Sequence, residues 1–145
     1  NTSDSATATL ALADVVYILL SPSSDKDKAA ALRSLSEHIE RVEGSDADAL
    51  GAFLRCAGVI APLVECLQHG SVAIHLEALY VLANLGSDAF DKQSAFTKQL
   101  VKDMDGFSKL VPHIFSDEIN TQHYALGAMQ NLCTYAEYAH TMQTY

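Results

Sequence analysis

The stretch Glu77-Ala78-Leu79-Tyr80-Val81-Leu82-Ala83-Asn84-Leu85 decides the fold. In and just before it, Ile74, Ala78, Leu79, Leu82, Ala83 and Leu85 fall at three- and four-residue spacings, which places them on one helix face. Ser71 stands where an N-cap belongs, so the spacing predicts a helix over 72–85. Its motif recurs along the chain. Ala31-Leu32-x-x-Leu35, Ala78-Leu79-x-x-Leu82 and Ala125-Leu126-x-x-Met129 are separated by 47 residues each. The same shift relates Val16, Leu63 and Leu110; Leu20, Leu67 and Ile114; Leu85 and Leu132; and Phe53-Leu54 and Leu100-Val101. A period of this length marks a helical repeat whose units bury their apolar faces against their neighbours.

Each unit reads as helices of different length. Gly58-Val-Ile-Ala-Pro-Leu-Val-Glu-Cys-Leu-Gln-His-Gly70 places Pro62 in a first turn, where its missing N–H is harmless, and Gly70 as a terminator. A third, shorter helix is predicted from about Ala95 to Met104, closed by Asp105-Gly106. Alternating β-branched residues are nowhere sustained, so the fold class is all-α with no sheet. Pro112 lies three residues beyond the position that the shift carries over from Pro62. A proline well inside a helix would break it, so that helix is expected to start late, near Lys109.

Gly58-Val-Ile-x-x-Leu-Val-x-x-Leu followed by Glu77-Ala-Leu-Tyr-Val-Leu-Ala-Asn-Leu85 resembles the armadillo repeat, with a Gly before the second helix and an Ala-Leu-x-x-Leu-x-Asn-Leu run in the third. The resemblance implies a right-handed α-solenoid of three-helix repeats, with the two-helix HEAT repeat as structural runner-up. It covers one domain over 10–145, as repeats at about 10–45, 46–92 and 93–136 with the start of a further helix at 137–145. The middle repeat is the best copy. The third keeps Gly106-Phe107, Leu110-Val111, Ala125-Leu126 and Asn131-Leu132. The first keeps only the apolar skeleton, with Glu37 where Asn84 and Asn131 stand later.

Residues 1–9 are polar and rich in Ser, Thr and Ala, and read as a linker or disordered end. With no initiator Met, the chain reads as processed, trimmed or cut from something longer. A solenoid needs polar outer faces at its ends. The helix predicted over 25–43 supplies one, but Val15-Val-Tyr-Ile-Leu-Leu20 is apolar almost all round and the last segment begins a helix and stops. Neither end reads as convincingly capped, so both are expected to meet further chain or another subunit.

Composition narrows the function. The 145 residues hold 18 acids against 9 Lys and Arg, a formal charge of −9. Residues 1–50 carry −5, 51–100 carry −1 and 101–145 carry −3. This balance disfavours nucleic acid and a basic patch for lipid headgroups, and favours a protein partner with a basic segment. The longest near-apolar run, Leu10–Leu20, contains Asp14 and is too short for membrane insertion. Three Cys and no visible targeting signal point to a reducing, cytoplasmic compartment, with organelle import left open.

In armadillo proteins that bind extended peptides, the third helices line a concave groove, with an aromatic residue and an Asn four positions later. The resemblance therefore implies a protein-binding groove formed by Leu76, Glu77, Tyr80, Asn84, His123, Asn131 and Tyr135. Three stripes at four-residue spacing follow: Ala29, Arg33, Glu37 and Arg41; Leu76, Tyr80, Asn84 and Asp88; His123, Gly127, Asn131 and Tyr135. The two Asn residues have an alternative reading, as ties to backbone carbonyls of adjacent repeats. Gly127 removes the aromatic rung from the third repeat.

No catalytic, cofactor or metal site is expected. Cys66-x-x-His69 has no second pair to complete a zinc set, and Cys66 and Cys133 fall on core positions. Phosphate loops, nucleophile elbows and His-Glu-x-x-His helices are absent from the sequence. The leading reading is a non-enzymatic interaction module or scaffold subunit of a larger complex. Asp105-Gly-Phe-Ser-Lys-Leu110 is also similar to armadillo nucleotide-exchange cofactors of heat-shock chaperones. From another class, helical-repeat bilin lyases are the enzymatic alternative.

Overall fold

The computed structural model describes residues 8–145; most of the sequence read as a linker, residues 1–7, lies outside them. Among the described residues every regular element is a helix. In chain order they are α1 (Leu12–Leu20), α2 (Asp25–Arg41), α3 (Ser45–Cys56), α4 (Ile60–Cys66), α5 (Val72–Leu85), α6 (Ser94–Asp103), α7 (Gly106–Ile114), α8 (Ile119–Leu132) and α9 (Tyr135–Thr144).

Local chemistry explains the boundaries. Ser24 starts α2 by accepting from the Asp27 amide at 3.1 Å. Glu118 starts α8 by accepting from Thr121 N at 2.8 Å and Asn120 N at 3.1 Å. Thr134 and Glu137 form a reciprocal capping box at the start of α9. Ser71 precedes α5, but its side chain makes no capping bond, contrary to the sequence reading. Its backbone amide donates to His69 Nδ1 at 2.9 Å instead, and its carbonyl accepts from Ile74 and His75.

The expectation of a late start near Lys109 is overturned: α7 runs from Gly106 with Pro112 inside it. Phe107, Leu110, Val111 and Ile114 are all buried along its inner face. Burial of each is worth roughly 1.5–3 kcal/mol, which together outweighs the roughly 3 kcal/mol cost of one interior proline. Asp105, left-handed at φ 57°, turns the chain between α6 and α7.

The three long helices pack in series, α2 against α5 and α5 against α8. The shorter helices pack on them, α1 on α2, α4 on α5 and α7 on α8. One apolar core runs through all three pairs, from Val15, Leu32 and Leu35 through Leu63, Leu79 and Leu82 to Leu110, Ala128 and Leu132. Gly86 shows how tight the α5–α8 seam is: an added Cβ would overlap the Leu132 side chain.

On the N-terminal side, the segment before α1 lies against α2. Shifted by 47 residues, the buried Val81 and Leu85 of α5 correspond to Ser34 and His38 of α2. These two polar residues hold the extended segment before α1. Leu10 N donates to Ser34 Oγ at 2.9 Å, and His38 Nε2 donates to Leu10 O at 2.7 Å. Thr9 adds a hydroxyl bond to Glu37 and accepts from Arg41 at 3.2 Å. The apolar helix α1 is buried on one side only, through Val15 and Leu19, while Tyr17 is 72% exposed.

Candidate protein-binding face

Residues of α2, α5 and α8 meet around a groove of about 210 Å³. Arg33, Glu37 and Glu40 come from α2, Leu76, Glu77 and Tyr80 from α5, and Tyr124 from α8. Helical spacing puts Leu76, Glu77 and Tyr80 side by side, and all three are half-buried. Ser36 Oγ donates to Glu77 Oε2 at 2.6 Å, which fixes that carboxylate between α2 and α5. The Tyr80 and Tyr124 rings meet edge to face with centroids 5.8 Å apart. Burial, with the Glu40 carboxylate as the next cause, raises the Tyr80 phenol above its ordinary pKa, so it stays a neutral donor at physiological pH.

The two asparagines do different things. Asn131 Nδ2 donates to Ala83 O at 2.9 Å and ties α8 to α5. Asn84 Nδ2 donates to Tyr80 O at 2.9 Å, one turn back in its own helix. One amide proton of each is thus committed, leaving the other and the carbonyl oxygen for further bonds.

Two stripes read from four-residue spacing stop at helix ends. α5 closes at Leu85, so Asp88 lies beyond it and bonds Ser94 and Lys98. α8 closes at Leu132 and Cys133 is extended, so Tyr135 opens α9. Tyr135 is 87% exposed and lines a separate groove with Leu126, Met129, Cys133 and Tyr138. His123 is exposed on α8, with its ring 5.7 Å from that of Tyr124. The sequence reading missed Tyr124 and Glu40. Tyr124 carried a signal: it lies three residues before Gly127, on the same helix face, and supplies an aromatic where Gly127 has none.

Cys66 and Cys133 are poor nucleophiles. Burial pushes the Cys133 thiol up to about 12, and burial likewise raises Cys66. Next to Cys66, His69 bonds Asp25 at 3.0 Å. Among the described residues no group of three or more His, Cys, Asp or Glu is arranged to hold a metal ion.

The described residues thus form an all-helical protein whose long helices pack in series, with an aromatic and acidic groove across them. Residues 97–134, spanning most of α6 together with α7 and α8, match the family described as Armadillo/beta-catenin-like repeat. That segment is thus similar to an armadillo repeat, in line with the resemblance its residues carry. The match falls on the third unit, although the middle unit reads closer to the repeat's pattern. No curated protein matches the chain. Among the described residues no single helix is long and apolar enough to cross a membrane; α3 and α4 pass on length and composition only as a pair, bent by 84°.

Proposed function

We propose that this chain is a non-enzymatic protein-interaction module. It is a right-handed armadillo solenoid with repeats at about 10–45, 46–92 and 93–136 and the start of another at 137–145. Armadillo repeats generally mediate protein–protein interaction, which supports this class. The binding face comprises Leu76, Glu77, Tyr80, Asn84, His123 and Asn131, with Tyr135 at the neighbouring end. The chain serves as a scaffold or subunit of a larger complex, in a reducing compartment that suits its free cysteines.

The observation that carries the reading is the groove itself. Glu37, Glu40 and Glu77 surround a Tyr80–Tyr124 pair, with Arg33 as the one base lining it. Carboxylates attract Lys and Arg, and tyrosine faces add cation–π attraction for the same side chains. A basic extended segment is the partner such a groove fits. The test is fluorescence anisotropy with a labelled Lys- and Arg-rich decapeptide, against its Glu-substituted counterpart. Saturable binding of the basic peptide alone, weakened by Tyr80→Ala with Asn84→Ala, supports the reading. Unchanged affinity in that double variant moves the interface off this face.

A further inference from the structure

The α2–α5–α8 groove is small, and its walls are of two kinds. At about 210 Å³ it falls short of the roughly 300–1,000 Å³ typical of sites for whole small molecules. It has room for the end of one side chain. Two of its walls are the rings of Tyr80 and Tyr124, tilted 74° to each other with centroids 5.8 Å apart. Rings that meet at nearly a right angle make a corner, and Leu76 adds an apolar surface to the same groove. Glu37, Glu40 and Glu77 supply three carboxylates against the single guanidinium of Arg33.

Which cation suits this corner follows from what the carboxylates already do. Glu77 Oε2 accepts from Ser36 at 2.6 Å, and Glu37 Oε2 accepts from Thr9 and, at 3.5 Å, from Arg41. Each of these carboxylates thus has one oxygen engaged. Glu40 is exposed, where water weakens its pull. An arginine fork takes both oxygens of one carboxylate for its paired bonds, and neither Glu37 nor Glu77 offers both. An unmodified lysine brings three N–H donors and a tightly held hydration shell, whereas ring faces and Leu76 supply no acceptor lone pair. A methylated ammonium keeps the full charge, has fewer N–H groups to satisfy, and sets methyl groups against the rings and Leu76. Dimethyllysine has one N–H left, which the second oxygen of Glu77 can accept.

We propose that the Tyr80–Tyr124 corner seats a methylated lysine, in its dimethyl form, on the basic segment of a partner protein. The ring faces attract the cation and cover its methyl groups, and Glu77 accepts its single N–H. The surrounding carboxylates draw in the segment that carries it. Methylation of the partner thereby raises affinity without changing its charge. The inference rests on the reading of this groove as the site of a basic segment, and adds the modification that the groove reads.

The test is fluorescence anisotropy with three labelled Lys- and Arg-rich decapeptides that differ at one central position. One carries lysine, one dimethyllysine, and one the neutral carbon isostere with CH in place of the ammonium N–H. Each is titrated into the full chain and into Tyr124→Leu and Tyr124→Phe. Tyr124 is half-buried at the groove surface, so both variants should fold; a thermal melt checks this. Dimethyllysine is expected to bind about fivefold tighter than lysine, and the isostere no tighter than lysine. Tyr124→Leu should erase that preference, and Tyr124→Phe should keep it. The isostere comparison in the unaltered chain needs no variant. Equal affinity for lysine and dimethyllysine, an isostere that matches dimethyllysine, or a preference that survives Tyr124→Leu overturns the proposal. Saturable binding of the lysine peptide in those cases leaves the basic-segment reading standing. Binding by none of the three peptides removes both.

Discussion

Arg55 Nη1 donates to Asp91 Oδ2 at 2.7 Å, and the Asp91 side chain is completely buried. The pair joins α3 to the loop before α6, across 36 residues of sequence. Arg55 also donates to Thr97 at 3.0 Å, and Gln93 N donates to the second carboxylate oxygen at 2.9 Å. Both oxygens of Asp91 are thus satisfied, which is what makes a buried charge tolerable.

Removing one partner leaves the other charge buried and unmatched. Asp91→Ala is expected to destabilise the fold by about 3–5 kcal/mol, read as a lower urea midpoint at constant slope. Gly51→Ala should act on the same pair, because an added Cβ would overlap the Asp91 carboxylate. Its expected cost is about 1–3 kcal/mol, as for other overpacked sites. If the two variants combine with less than the sum of their separate effects, they act through one contact.

The three cysteines should separate by reactivity. Cys56 is exposed, Cys66 is buried with a raised pKa, and Cys133 is pushed up to about 12. The thiolate is the reacting species, so at pH 7.5 iodoacetamide should label Cys56 first. Intact-mass analysis should show one fast adduct in the native protein and three in urea. Fast labelling of Cys133 in the native state would contradict its protonated environment.

Acid should weaken the fold in two steps. His113 packs against His75 with ring centroids 4.5 Å apart, and it donates to the Leu67 carbonyl. Burial first, and the neighbouring His75 as well, lower its pKa below 6.5, while the Leu67 bond opposes them. The unfolded chain therefore binds this proton more readily. The stability it confers is complete above pH 6.5 and is lost as the pH falls from there through the lowered value. Glu118 and Glu137 are both held below their ordinary value by backbone amides, of Thr121 and Asn120 for one and of Thr134 for the other. Their share is present above about pH 4.5 and disappears only at lower pH. Thermal melts from pH 7.5 to 3.5 should show both falls, and His113→Gln should flatten the upper one alone.

The repeat spacing made the helices legible. Apolar residues 47 apart must occupy equivalent packing positions, so α5 was read to the residue and α8 followed from its shift. Pro112 misled because a local rule was applied without the four buried side chains around it. The binding face was only partly readable. Glu77 and Tyr80 follow from a single helix, whereas the Tyr80–Tyr124 pair depends on how two helices cross. The stripes ending in Asp88 and Tyr135 failed because periodicity does not state where a helix stops.

The polar contacts on the N-terminal side of α2 were written in the sequence as two substitutions. Ser34 and His38 stand where Val81 and Leu85, and then Ala128 and Leu132, are apolar and buried. A polar pair at such positions requires partners, and the Leu10 amide and carbonyl are those partners. Each neutral hydrogen bond contributes about 1 kcal/mol, so Ser34→Ala with His38→Ala should cost about 2 kcal/mol in a urea melt. Deleting residues 1–10 should cost a similar amount, and should add little once both side chains are gone. Ser34→Val with His38→Leu should instead leave α2 with an apolar seam like that of α5, once the same residues are deleted. That variant is expected to associate head to tail through the open groove on α8, with sedimentation rising with concentration. Leu126→Glu in the same background should return it to a monomer. If it stays monomeric without that second change, the polar pair is not what keeps the N-terminal face from stacking.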